Sequence, residues 1–267
     1  MSENNIQSFV SIDDLIYNQS FSNYKILDLR ENHKFQNGHI KDSIHIDNNY
    51  FTQQDEDGIN IIPDMEKLQN YLQLKGINQD DKLILVDDVF NLNCSLAAWT
   101  LHYFCFNNVL LLDGAYSKWE KEVNEFTTEI IELPKGNIKL TKIREELLIS
   151  KDEILINIHS DSFIFVDNRS EYALLLDQQG GNIPGAIHLW YLDLFEEYPD
   201  YFVLKDKESI LEELKVRNIT KDKTIVVYCE SAPQSALVYL VLRELGYPDV
   251  RLYLAGYDEW RLICSFI

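Results

Sequence analysis

The residues best suited to chemistry lie in one stretch, Thr224-Ile225-Val226-Val227-Tyr228-Cys229-Glu230-Ser231-Ala232-Pro233-Gln234-Ser235. An apolar, β-branched run ends on a cysteine, and a six-residue turn follows. Ala236 to Leu245 is then apolar almost all round, until Gly246 stops it. The pattern predicts strand, loop and buried helix. At the carboxyl end of a strand, the N–H groups of a tight loop and the positive end of the next helix converge on a cysteine sulfur, which favours a thiolate or a bound anion. A buried, inert thiol is the plainer reading of Cys229, and the loop and helix that follow it favour the reactive one.

The other three cysteines, Cys94, Cys105 and Cys264, carry no such context. Cys105, inside Leu101-His102-Tyr103-Phe104-Cys105-Phe106, reads as a small core residue, and Cys94 and Cys264 read the same way. There is no CxxC pair, and the six histidines fall in no ligand-like spacing with the cysteines, so neither a disulfide framework nor a metal site is expected.

The elements that hold the stretch must come from a chain of 267 residues, long enough for two domains of roughly 130 residues by the usual size prior. A formal net charge of −20 repels phosphate backbones and anionic lipid, which argues against nucleic acid and membrane surfaces as partners. No stretch approaches the roughly 18 apolar residues of a membrane span. The start, Met1-Ser2-Glu3-Asn4-Asn5-Ile6, has no basic segment leading into an apolar one, so a soluble, cytoplasmic protein is expected.

Along the chain, Ser11 with an acidic residue three positions on marks a helix start. Lys25 to Arg30 reads as a strand, Pro63 to Lys75 as a helix, Lys82 to Val86 as a strand, Asn93 to Phe106 as a helix and Val109 to Leu112 as a strand. Alternating β and α with short connections predicts a mainly parallel sheet flanked by helices. The same order then returns. Asp28-Leu29-Arg30 is matched by Asp167-Asn168-Arg169, and Gly38-His39-Ile40 by Gly181-Asn182-Ile183. Gly114-Ala115-Tyr116-Ser117-Lys118-Trp119 is matched by Ala255-Gly256-Tyr257-Asp258-Glu259-Trp260. Trp119 and Trp260 are 141 apart, and carrying that displacement back from Cys229 reaches Asp88, with no gap in the loop. The expected division is 1–133, a turn-rich linker region at 134–150 around Leu133-Pro134-Lys135-Gly136-Asn137, and 151–267.

In this ordered set the chain resembles the two-domain sulfurtransferases built from tandem rhodanese domains, the thiosulfate and 3-mercaptopyruvate sulfurtransferase family. The likeness covers nearly the whole chain. It implies an α/β fold of two tandem rhodanese-like domains, each a mainly parallel sheet flanked by helices, packed with the Cys229 loop in the cleft between them. It also implies a silent first domain, with Asp88 in the cysteine's place, and a second domain that moves a sulfane sulfur through a Cys229 persulfide. Glu230, Ser231, Ala232, Gln234 and Ser235 then face the substrate. The donor is a small molecule, the acceptor cyanide, a thiol or a protein thiol, and no cofactor is needed.

The loop departs from the family's usual Cys-x-x-Gly-x-(Arg or Thr). Pro233 removes an N–H from the anion cradle and is expected to push Ala232 toward an extended conformation, re-routing the loop. Ala173 stands where members acting on thiosulfate or mercaptopyruvate carry a substrate-binding arginine. These departures keep a second reading open, a weakened pseudoenzyme that binds a persulfide or a partner. Ser231 and Gln234 read equally as donors to a substrate or as solvated loop residues. Arg169, having its counterpart Arg30 in the half without the cysteine, reads as one member of a shared structural ion pair. Trp99, Trp190 and Tyr191 read as aromatic packing at the domain interface, and Asp55-Glu56-Asp57 and Glu196-Glu197 as solvated surface.

Overall fold

The computed structural model describes residues 7–19, 22–88, 90–176 and 181–263; the expectation for Cys264 lies outside them. The first half contains β1 (Phe9–Val10), α1 (Ile12–Tyr17), β2 (Tyr24–Asp28), α2 (Asn32–Asn37), β3 (Ile44–His45), β4 (Gln53–Gln54), β5 (Asn60–Ile61), α3 (Met65–Leu74), β6 (Lys82–Val86), α4 (Leu92–Tyr103), β7 (Val109–Leu112) and α5 (Ala115–Glu122). The second contains α6 (Lys151–Asn157), β8 (Phe163–Asp167), α7 (Glu171–Leu176), β9 (Ile187–His188), β10 (Phe195–Glu197), β11 (Phe202–Leu204), α8 (Lys207–Val216), β12 (Thr224–Tyr228), α9 (Pro233–Glu244), β13 (Val250–Leu252) and α10 (Gly256–Trp260).

Each half is built on a parallel sheet. The strand orders are β1-β7-β6-β2-β3 in the first and β13-β12-β8-β9 in the second, and the two short pairs β4-β5 and β10-β11 are antiparallel. Leu83 to Val86 and Ile225 to Tyr228 are buried throughout, as an unbroken apolar run must be when helices cover both faces of a sheet. Side chains fix several helix starts. The Ser11 hydroxyl accepts from the Asp14 N–H, the Asp64 carboxylate caps α3, and Ser150 with Glu153 forms a reciprocal capping box at α6.

The two halves share one core. Helices α4 and α9 are buried on nearly every face because they pack against each other, and a single apolar cluster runs from the first sheet through both helices into the second. The expected linker is not a free tether. Gly136 N–H donates to the Gln73 carbonyl (2.8 Å) and Ile138 N–H to that of Ile77 (3.1 Å), with Ile138 and Leu140 buried. A Cβ on Gly136 would lie 2.0 Å from the Ile77 oxygen, so only glycine allows this approach. Beyond it, Leu148 bridges to Leu252 and the Ile149 N–H donates to the Leu252 carbonyl, which joins the segment to the second sheet.

His102 sits in this shared core, 5% exposed, with the charges of Arg144 and Arg243 nearby; burial first, then those cations, lower its pKa to about 4. The unfolded chain therefore takes up a proton near pH 6.5 that the folded one refuses until about pH 4. Stability from this group is complete above pH 6.5 and is lost as pH falls toward 4, by roughly 3 kcal/mol. Urea unfolding across that window should show a flatter pH dependence for His102→Gln than for the native chain. Parallel curves would exclude His102 as the titrating group.

Candidate active site

Strand β12 delivers Cys229 to its carboxyl end, where the thiol is 1% exposed. The turn after it is shorter than the sequence suggests, because α9 already begins at Pro233 and three residues, 230–232, make the connection. Pro233 occupies the first helical position, where the absent N–H has no intrahelical role and the fixed φ suits the helix. Ala232 does not turn extended. With the strand and helix ends both fixed by burial, so short a reversal requires positive φ, and Ala232 adopts φ 85°, ψ −38°, at a cost of about 1–2 kcal/mol for a residue with a Cβ.

The cradle closes on the sulfur from behind. The single Ser235 hydroxyl hydrogen has two acceptors in reach, Cys229 Sγ (3.5 Å) and the Ala232 carbonyl (2.9 Å). The Ser231 and Ser235 backbone N–H groups also favour the thiolate. Burial nevertheless pushes the thiol pKa up, and the charge of Glu230 adds a smaller push in the same direction. Ala232 and Ser235, expected to face substrate, are out of solvent contact and shape the sulfur's surroundings instead. Glu230, Ser231 and Gln234 are half-buried at the surface of the loop.

The closing segment, noticed in the sequence only as a repeat, holds this loop. The Tyr257 N–H donates to the Cys229 carbonyl (2.7 Å) and the Asp258 N–H to that of Glu230 (3.1 Å). Gly256 has φ 63°, and a Cβ there would meet the Glu230 oxygen at 2.4 Å and the Cys229 oxygen at 2.6 Å. Behind the clasp, Arg169 is 1% exposed and engages both Asp167 oxygens, with its guanidinium 3.7 Å from the centre of the Tyr257 ring. Arg30 repeats the arrangement with Asp28 and the Tyr116 ring. Both arginines are therefore internal struts.

The first half supplies a wall that the sequence did not disclose. Asn60 Nδ2, on β5, donates to the Ser231 carbonyl (2.5 Å). Phe90 packs edge-on against Tyr191, ring centres 6.0 Å apart, and the Tyr191 phenol lies within the field of the Cys229 charge. Among the described residues, Gln234 Oε1 is buried with no hydrogen-bond partner. Such contacts are fixed by how two domains dock, and neither Asn60 nor Phe90 lies in a motif.

A family model for the rhodanese-like domain matches residues 11–122 and again 150–262. The chain belongs to the rhodanese-like family, in tandem. It is 25% identical over 234 residues to the 3-mercaptopyruvate sulfurtransferase of Escherichia coli K12, covering 85% of this chain and 82% of that protein. It is 30% identical over 211 residues to the sulfur carrier protein TtuD of Thermus thermophilus, with 73% of each covered. The crystal structure of SseA from Escherichia coli, a 3-mercaptopyruvate sulfotransferase of the rhodanese fold, superposes with a TM-score of 0.80 at 24% identity, over 94% of this chain and 98% of that one.

Within this tandem the counterpart of Cys229 is Asp87, not Asp88. Tyr116 N–H donates to the Asp87 carbonyl and Ser117 N–H to that of Asp88, as Tyr257 and Asp258 do to Cys229 and Glu230. The displacement of 141 fails here because four residues, 88–91, precede α4 where three precede α9. The Asp87 carboxylate, 5% exposed, accepts the N–H groups of Asp88 (2.8 Å) and Asn93 (2.9 Å). The first rhodanese-like domain thus fills its cradle with a carboxyl group of its own, whose pKa burial raises against the pull of those two amides. Cys94 is fully buried, its thiol pKa pushed well up by burial; Cys105, expected in the core, sits half-buried at a turn with φ 62°.

Iodoacetamide alkylation of Cys229 should follow a profile displaced to higher pH than that of an ordinary thiol. Ser235→Ala should move it higher still by removing a donor to the sulfur. Glu230→Gln should move it lower and by less, and Cys94 should stay unlabelled. Equal shifts, or a larger one for Glu230→Gln, would mean that the hydroxyl does not control the sulfur.

Proposed function

We propose that this chain is a sulfurtransferase that moves a sulfane sulfur from a small donor of the thiosulfate or 3-mercaptopyruvate class to a thiophilic acceptor through a persulfide on Cys229. One observation carries the reading. Of two equivalent cradles, the first holds a carboxyl group and the second a sulfur, on a loop that the first domain touches through Asn60. With thiosulfate, the Cys229 thiolate attacks the outer sulfur, the S–S bond breaks and sulfite leaves with the electron pair. Cyanide, a thiol or a protein thiol then attacks the outer sulfur of the persulfide and restores the thiolate. The persulfide anion needs hydrogen-bond donors rather than a general base, and the amides of Ser231 and Ser235 with the Ser235 hydroxyl meet that need.

The relatives' names support the transferase class, and one of them, a sulfur carrier protein, supports a protein acceptor. The pseudoenzyme alternative drew on Glu230, Ala232, Pro233 and Ala173; Ala232 at φ 85° bears only on the expected re-routing of the loop, and sulfur uptake separates the two readings. Reduced protein incubated with thiosulfate or mercaptopyruvate should gain one sulfur atom by intact mass, removable by dithiothreitol. Cys229→Ser should abolish the gain and Cys94→Ser should not. Sulfur found mainly on another cysteine would refute the assignment.

A further inference from the structure

Among the charges beside the cradle, one cation of the first domain is missing from the second. Helices α2 and α7 each run six residues from equivalent starts after the Asp-x-Arg strand end, so Lys34 and Ala173 occupy the same backbone position. Asp88 and Glu230 are likewise equivalent, by the hydrogen bonds their carbonyls accept from Ser117 and Asp258. In the first domain these two positions form an ion pair, Lys34 Nζ to Asp88 at 2.7 Å, at the edge of a cavity of about 400 Å³. In the second, the carboxylate remains and the lysine is an alanine. Glu230 is half-buried next to the reactive sulfur; its own backbone N–H and the charge of Arg169 favour its carboxylate, but among the described residues no lysine or arginine forms an ion pair with it.

We infer that the thiol taking sulfur from Cys229 carries an ammonium group, seated against Glu230 in the volume that the Lys34 side chain fills in the first domain. This rests on Cys229 being the sulfur carrier. The thiolate of such an acceptor attacks the outer sulfur of Cys229–S–SH; the new S–S bond forms as the old one breaks, and the electron pair stays on the Cys229 sulfur. The acceptor leaves as its hydropersulfide. An aminothiol suits this position because its ammonium offsets Glu230 while its thiolate approaches, whereas a carboxylate-bearing thiol brings a second like charge. The exposed Asp55, Glu56 and Asp57, on the β4-β5 connection whose Asn60 holds Ser231, add to the same field. Burial raises the Glu230 carboxyl pKa against the pull of Arg169 and of the residue's own backbone N–H, and Asp167 and Asp258 add smaller pushes upward.

Charged methanethiosulfonates test the seat without requiring sulfur transfer. Aminoethyl and sulfonatoethyl reagents are compared at Cys229, each normalised to its rate with 2-mercaptoethanol. The net charge alone favours the cation, so the change between variants decides. Glu230→Gln and Ala173→Lys should each lower the cation-to-anion ratio by roughly fivefold, the upper size of one partly exposed charge contact. Lys34→Ala should leave it unchanged. A ratio that moves less than about twofold in both decisive variants would overturn the inference. In parallel, the preformed persulfide is discharged with cysteamine or 3-mercaptopropionate at equal thiolate concentration, and cysteamine should be faster only while Glu230 is present. If no persulfide forms yet the reagent selectivity responds to both variants, sulfur transfer fails as a function and the cation seat stands.

Discussion

Two hydrogen bonds from the start of α10 to the carbonyls of Cys229 and Glu230 hold the site together. They require that residue 256 have no side chain, because the loop carbonyls lie where a Cβ would be. The ring of Tyr257 lies on the Arg169 guanidinium, which Asp167 holds at the end of the neighbouring strand. The sheet, the buried ion pair, the aromatic ring and the loop thus form one chain of contacts. A pair so deeply buried adds little net stability, but losing either partner leaves an uncompensated charge, commonly at 3–5 kcal/mol. Its presence in both halves fits a role in setting the loop's position.

The internal repeat allows the chemistry to be read by difference. The same clasp in the first domain places Asp87 in the cradle, with its carboxylate satisfied by backbone amides. Backbone amides at that point offer hydrogen bonds to an anion although burial disfavours one, and the thiolate or persulfide of Cys229 asks for the same donors. Burial works against the thiolate, while the Ser235 hydroxyl and the loop amides work for it. Glu230, the next residue in the loop, contributes less than either.

The fold was legible because parallel strands buried on both faces write themselves as apolar runs, as in Leu83 to Val86 and Ile225 to Tyr228, and because each piece appears twice. Cys229 was legible as the residue that ends the second such run. Three things were not. The counterpart of the cysteine was placed one residue off, since an inserted residue in a four-residue loop leaves no mark when only flanking motifs are aligned. Ala232 was expected to avoid positive φ, but local preference yields when buried elements on both sides fix the span. Asn60 and Phe90 reach the site only through the docking of two domains, a long-range constraint that leaves no periodicity in the sequence.

The most direct test of the clasp is Gly256→Ala, read as the alkylation rate of Cys229 beside near-ultraviolet circular dichroism of the same sample. The added methyl must push the loop carbonyls away and spoil the convergence of donors on the sulfur. Native-like spectra with a Cys229 reactivity profile moved to higher pH are the predicted result. A folded variant whose Cys229 reacts as in the native chain would contradict the claim that this contact positions the sulfur.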